Sequence, residues 1–235
     1  MFKMKNIISE KHGLKYLPKA IIFDVDGTLY SQTKLRLFIL LKIITSIILS
    51  PKCIHDFIVL MHFRKTREKI SSQAIVDLEN QQYLLAANSA DVKQEKVRQV
   101  VQKWMFEKPL PYLAACLHPG IKELFSLLKS KGIRIGVFSD YPAAAKLEAL
   151  GLAADILVSA SCKEVNCLKP NPTGLLVTAR KLQTAVQDCL FIGDRWEKDG
   201  ECARRAGMPY LILDPRRKTR QLHGLAAWLK DAEQN

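Results

Sequence analysis

The sequence has no uninterrupted apolar stretch of the roughly twenty residues that a membrane-spanning helix needs. Its greasiest segment, Leu35 to Leu49, is about fifteen residues long and is interrupted by Arg36 and Lys42. The first eleven residues carry charge but neither a long apolar core nor a small-residue cleavage site, so no secretory signal is expected. The six cysteines lack a paired metal-ligand rhythm: Cys162 and Cys167 have four residues between them and no matching pair follows. That argues against a zinc site, and reduced thiols in a cytoplasmic protein are the simplest expectation. The basic residues are not interleaved with aromatics in a nucleic-acid-binding pattern, so nucleic acid is not an expected partner. Nothing in the pattern fixes an oligomeric state.

Acidic residues are also scarce, 23 against 36 Lys and Arg, for a formal net charge of +13. Such a balance attracts anions such as phosphorylated metabolites or an anionic membrane surface. Leu35 to Leu49, flanked and crossed by Lys34, Arg36, Lys42 and Lys52, reads as a buried or partner-facing helix, with peripheral membrane contact as the alternative. Otherwise 235 residues, 48% apolar and 25% charged, describe an ordinary globular chain with one sizeable core, or one core with a large insertion.

The organising stretch is Ala20 to Tyr30, Ala-Ile-Ile-Phe-Asp-Val-Asp-Gly-Thr-Leu-Tyr. An apolar strand ends in two acids, a glycine and a hydroxyl, as a buried parallel strand does when it delivers chemistry at its carboxyl end. Two crowded carboxylates ask for a cation or a shared proton. For about eighty residues afterwards the periodicity is helical, with helices expected at Leu35 to Leu49, Ile54 to Ile70, Ser72 to Ala87 and Asp91 to Phe106. Pro109 and Pro111 mark the exit. From Ile121 helices alternate with strands at Ile133 to Phe138, Ile156 to Ser159, Cys189 to Ile192 and Tyr210 to Leu213, before a last helix from Gln221 to Asp231. The fold class is therefore α/β, a Rossmann-like parallel sheet wrapped by helices with an inserted all-helical cap. The expected division is 1–30 core, 31–111 helical cap and 112–235 core. Lying between the first strand and the rest, the insertion is a candidate lid.

The other strand ends carry matching groups. The second ends Phe138-Ser139-Asp140, offering a hydroxyl and neighbouring amides to a phosphate. Lys169 follows the third between a leucine and a proline. The fourth ends Gly193-Asp194, with Asp199 five residues on, where both acids can reach one cation. Arg216, Arg217, Lys218 and Arg220, after the last strand, read as solvated surface.

In these four ordered motifs, Asp24-Val25-Asp26-Gly27-Thr28, Ser139, Lys169-Pro170 and Gly193-Asp194 with Asp199, the chain resembles the haloacid dehalogenase superfamily. The resemblance implies a first strand central in the sheet and a helical cap after the first motif. Phosphoryl transfer needs a nucleophile, a cation and an acid for the leaving oxygen. Asp24 is the expected nucleophile, forming an aspartyl phosphate, and Asp26 the general acid and then base. Mg2+ would be held by Asp24, Asp194, Asp199 and the backbone carbonyl of Val25, with that of Asp26 as the alternative. Thr28, Ser139, Asp140 and Lys169 would hold the phosphoryl oxygens. Relatives that displace halide from carbon need no leaving-group acid, so Asp26 favours phosphoesters. The expected function is a Mg2+-dependent phosphomonoester hydrolase acting on a small phosphorylated metabolite. The alternatives are a phosphomutase or a lipid-linked phosphate phosphatase on the same site, or a non-catalytic phosphate- or membrane-binding protein.

Overall fold

The computed structural model describes residues 17–71 and 75–231, so the first part of the expected 1–30 core segment lies outside the described residues. Ala20–Phe23 (β1) has only apolar side chains, all fully buried, and takes the middle of a five-stranded sheet. Around it lie Arg134–Ser139 (β2), Ile156–Ser159 (β3), Cys189–Gly193 (β4) and Tyr210–Ile212 (β5), in the order β3-β2-β1-β4-β5 with every pairing parallel. Alternation along the strand sends Ile21 and Phe23 into one hydrophobic cluster and Ile22 into the other. A strand with both faces covered needs an apolar side chain at every position.

The register fixes the site. Phe23 lies level with Val137 and Ile192, so Asp24, Ser139 and Asp194 all leave the sheet at one edge. The amide of Asp24 still donates to the Ile192 carbonyl at 2.8 Å, holding the first acid in line with the strand.

Over that edge lie the first helices after β1: Gln32–Leu49 (α1), Cys53–Ile70 (α2), Leu78–Ala90 (α3), Gln94–Val101 (α4), a π-helical turn at Gln102–Glu107, and Leu110–Cys116 (α5). Asp56 of α2 ties them together, accepting from Lys96 at 2.6 Å, Lys103 at 3.3 Å and the Trp104 indole at 3.4 Å. The remaining helices flank the sheet: Ile121–Ser130 (α6), Ala144–Leu150 (α7), Thr173–Lys181 (α8), Glu201–Ala206 (α9) and Lys218–Asp231 (α10). Arg67 of α2 docks the inserted helices on the sheet edge. It donates to the Asp140 carbonyl at 2.6 Å, stacks 4.1 Å from the Tyr141 ring and also bonds Gln82.

Several elements depart from expectation. The prolines at 109 and 111 open α5 instead of ending helical structure, because a first-turn proline lacks only an amide that has no helical partner. The third helix begins at Leu78, after Asp77 accepts from the Asn80 amide, and residues 72–74 are outside the described set. α1 buries a single stripe, Leu35, Ile39 and Ile43, and leaves Leu37, Leu41, Ile44, Ile48 and Leu49 exposed. Among the described residues no helix is long and apolar enough to cross a membrane.

α8 crosses β2 so closely that Gly174 touches the Phe138 ring: a Cβ there would stand 2.0 Å from a ring carbon. Phe138 cannot retreat freely, since the Lys169 ammonium lies 5.1 Å from its centre. Gly174→Ala would gain roughly 1 kcal/mol of helix propensity. Overpacking costs about 1–3 kcal/mol, so the variant is expected to unfold at lower urea concentration than the wild type. An unchanged midpoint would mean that the ring has room to move.

Candidate active site

Four carboxylates and three ammonium groups meet at the carboxyl edge of the sheet. Lys169, with about 1% of its surface exposed, bridges Asp24 Oδ1 at 2.6 Å and Asp199 Oδ1 at 2.8 Å. Burial alone would neutralise this ammonium, but the two carboxylates outweigh it and hold the pKa well above the ordinary lysine value. Asp24 is pushed up to about 8, first by burial and then by Asp199 and Asp26, against the pull of Lys169.

Asp26 goes the other way. Burial pushes it up, yet Lys146 at 2.6 and 2.8 Å from its two oxygens, with a hydrogen bond from Tyr30, brings it below the usual value. The acids two residues apart therefore have opposite electrostatic settings. Asp194 is raised by burial despite Lys218, which lies 3.1 Å from its Oδ2. Lys218 also donates to the Gly27 carbonyl, and His118 Nε2 lies 3.3 Å from the same oxygen. Gly27 has φ +100°, and a Cβ there would come within 2.3 Å of Asp194, so only glycine lets the first loop approach the fourth strand end.

The expected site residues do converge, though several side chains are committed differently. Ser139 is buried at the end of β2, where its oxygen accepts from the Tyr141 amide at 3.2 Å and its own proton is left to give. Thr28 spends its hydroxyl on Asp24 Oδ2 at 3.1 Å, which makes it an orienter of that acid. The Asp140 carboxylate accepts from the Lys169 amide at 3.1 Å, so its side chain positions the lysine loop and only its backbone amide can face an anion. The Val25 carbonyl accepts from the amides of Thr28 and Leu29, at 3.3 and 3.1 Å, and is turned into the first loop. Asp199 Oδ2 accepts from the amides of Asp194 and Arg195, so both of its oxygens already have donors.

The donor set fits a hard cation. Asp24, Asp194 and Asp199 bring one carboxylate oxygen each to within 4.8 Å of one another. Among the described residues, Asp194 Oδ1 is the buried side-chain oxygen without a hydrogen-bond partner. A buried, unpaired oxygen on one of three converging carboxylates matches what Mg2+ selects.

Sequence reasoning missed Lys146, Tyr30, Arg67 and Lys218. Lys218 is a correction, because it was expected in a solvated basic cluster. Arg216 and Arg217 are exposed, but Lys218 opens α10 and turns inward to the acids. A cleft of about 420 Å³ leads from Asp24 and Asp26 between α1, α2 and the α4–α5 region.

Comparison with known proteins places this geometry in context. A family model described as a haloacid dehalogenase-like hydrolase matches residues 18–207. A phosphoglycolate phosphatase of Rhodospirillum rubrum is 28% identical over 84% of this chain and 80% of its own length. A glyceraldehyde 3-phosphate phosphatase of Methanopyrus kandleri is 27% identical over 81% of each chain. The crystal structure of a 2-haloacid dehalogenase from Pseudomonas syringae superposes with a TM-score of 0.61 at 18% identity. That match covers 90% of this chain and all of that one, and it bears on the fold alone.

Lys169→Met removes the ammonium that bridges Asp24 and Asp199. Breaking a buried ion pair costs about 3–5 kcal/mol, and the loss depends on pH. Asp24 already binds its proton more tightly when folded than when unfolded. Losing Lys169 strengthens that preference, so the folded form keeps a proton that the unfolded form releases as pH rises. Wild type and variant share that cost up to about pH 8, above which only the wild-type Asp24 ionises, so the variant is expected to lose more stability relative to wild type at pH 9 than at pH 6 in urea titrations. An equal loss at both would contradict the charge assignment.

Proposed function

We propose that this chain, which belongs to the haloacid dehalogenase-like hydrolase family and is a phosphatase-like enzyme within it, hydrolyses phosphomonoesters of small phosphorylated metabolites through an aspartyl phosphate on Asp24. The observation that carries the proposal is the pairing at one point of an oriented carboxylate and a cation-ready set of acids. Asp24 is held by Lys169 and Thr28 while Asp194 Oδ1 stands unpartnered beside it.

Asp24 attacks phosphorus and the bond to the leaving oxygen breaks, with Asp26 giving that oxygen a proton. Asp26 then takes a proton from water, whose oxygen attacks the phosphoryl group and frees Asp24. Mg2+, held by Asp24, Asp194 and the Asp26 carbonyl, would offset charge on the phosphoryl oxygens. The Asp26 carbonyl replaces that of Val25 in this set because the latter already serves two amides. Asp199, with donors on both oxygens, acts through water or by fixing the loop. Ser139 donates its free proton to the phosphoryl group, and Lys169 keeps the crowded carboxylates from repelling it. The inserted helices act as the cap that selects the leaving group.

Lys146 adds a condition. While it grips both oxygens, Asp26 is ionised, which suits the second step and opposes the first. The incoming phosphoester competes for Lys146 as an anion, and Asp26, so released, takes up a proton from water and gives it to the leaving oxygen.

Purified protein is expected to hydrolyse p-nitrophenyl phosphate or phosphoglycolate with Mg2+, to stop with EDTA, and to lose at least a thousandfold in Asp24→Asn, on the order of what removing a covalent nucleophile costs. Turnover that survives Asp24→Asn would refute the covalent route. Equilibrium phosphate binding with no turnover of any phosphomonoester would favour the non-catalytic alternative. Lys146→Met removes the cation that holds Asp26 low, so the acid limb of kcat against pH should move upward, while Lys146→Arg keeps it near the wild-type position. An unmoved limb in Lys146→Met would show that Asp26 is not the titrating base.

A further inference from the structure

We infer that the leaving group carries an apolar tail that lies in the cleft between α1, α2 and the α4–α5 region. The inference rests on the phosphatase reading and specifies its substrate class. The cleft volume, about 420 Å³, falls within the range of roughly 300–1,000 Å³ typical of pockets for drug-sized ligands. A two- or three-carbon phosphate would leave much of it unfilled.

Beyond the acids its wall is apolar: Leu35, Ile39 and Ile43 from α1, Phe57 and Leu60 from α2, and Leu113 from α5. A sugar phosphate would bring hydroxyls that need partners there, and buried hydroxyls without them are costly. The Trp104 indole, a polar group on this wall, already donates to Asp56, and Gln32 accepts from Arg36 at 2.7 Å. Leu40 and Met61 also line the cleft and are 48% and 47% exposed, so it opens to the surface between α1 and α2. From there the apolar lining continues onto Leu37, Leu41 and Ile44 of α1, which offers a long tail further apolar surface.

The charged end of the cleft suits the head of the same molecule. Arg64 of α2 lines it close enough to Asp26 and Tyr141 to feel both, and burial together with Arg36 lowers its pKa from the usual arginine value. No hydrogen bond or ion pair engages Arg64 among the described residues, so its guanidinium is available to a phosphoryl oxygen. Cations beside the acids and a mostly apolar wall behind them, whose polar groups Trp104 and Gln32 already have partners, describe an amphiphilic phosphomonoester.

The test is a series of n-alkyl phosphates from ethyl to decyl, below their micellar concentrations, assayed with Mg2+. Alongside it, calorimetric titration with the matching alkyl phosphonates, which cannot be hydrolysed, reads binding alone. Each buried methylene is expected to raise kcat/KM about fourfold until the cleft is full, on the order of a hundredfold between butyl and octyl. Phosphonate affinity should climb in parallel. Leu40→Gln with Met61→Gln, both on half-exposed side chains, should reduce the octyl-to-ethyl ratio in both measurements. Hydrolysis of short phosphates with length-independent kcat/KM and phosphonate affinity would overturn the apolar tail and leave the phosphatase reading intact. Phosphonate affinity that climbs with length, with no phosphomonoester hydrolysed, would overturn the phosphatase reading and keep the apolar site.

Discussion

A single buried ammonium, that of Lys169, lets two carboxylates from different strand ends stand within reach of each other in a dry site. Isolated charges of this kind cost several kcal/mol each to bury, and only close, well-bonded opposite charges offset that cost. Lys169 meets the requirement because Asp140 fixes its amide and the rings of Phe138 and Phe191 lie 5.1 and 5.3 Å from its charge. Those rings come from β2 and β4, the two neighbours of β1. The sheet thus supplies both the acids and the aromatic walls that make their spacing tolerable. Gly174 and Gly193 fit the same constraint, since a Cβ would stand 2.0 Å from the Phe138 ring at the first and 2.4 Å from Asp199 at the second, crowding the groups that surround Lys169.

This explains which parts of the molecule were legible in the sequence. The five strands and most helices announced themselves through local pattern, because a strand covered on both faces must be apolar and a helix packed on a sheet must be amphipathic. Asp24, Asp26, Ser139, Lys169, Asp194 and Asp199 were legible for a related reason. Asp24, Ser139 and Asp194 sit at strand ends, Asp26 and Asp199 a short way beyond them, and Lys169 in the loop between β3 and α8, so their positions follow from topology. Thr28, Asp140 and Val25 lie in the expected region, and their intramolecular partners, Asp24, the Lys169 amide and the amides of Thr28 and Leu29, had no local signal. Topology says where a side chain emerges, not which of several nearby groups it satisfies.

Lys146, Arg67 and Lys218 follow no local rule. Lys146 meets Asp26 across 120 residues of chain, and Lys218 meets Gly27 across 191. A lysine in a basic cluster looks like its solvated neighbours until the helix it opens is seen to point at an acid. The misplaced start of the third helix and the prolines of α5 have a different origin. There local signals existed, in the left-handed Asp77 cap and the first-turn prolines, but each also reads as a loop.

The three lysines together set what the site still needs. Lys169, Lys146 and Lys218 face the four acids Asp24, Asp26, Asp194 and Asp199, so these seven groups together carry one net negative charge. The raised pKa of Asp24 answers that deficit with a proton, and a protonated Asp24 is a poor nucleophile. A divalent cation beside Asp194 Oδ1 answers it differently. Held there, it would favour the ionised form of Asp24 and turn the balance of these groups to one positive charge, which would favour arrival of an anion. Under the proposed mechanism the same event thus prepares the nucleophile and attracts the substrate. It also explains why Lys146 can be given up to an incoming phosphate: once the cation is bound, Asp26 no longer has to be neutralised by Lys146 alone.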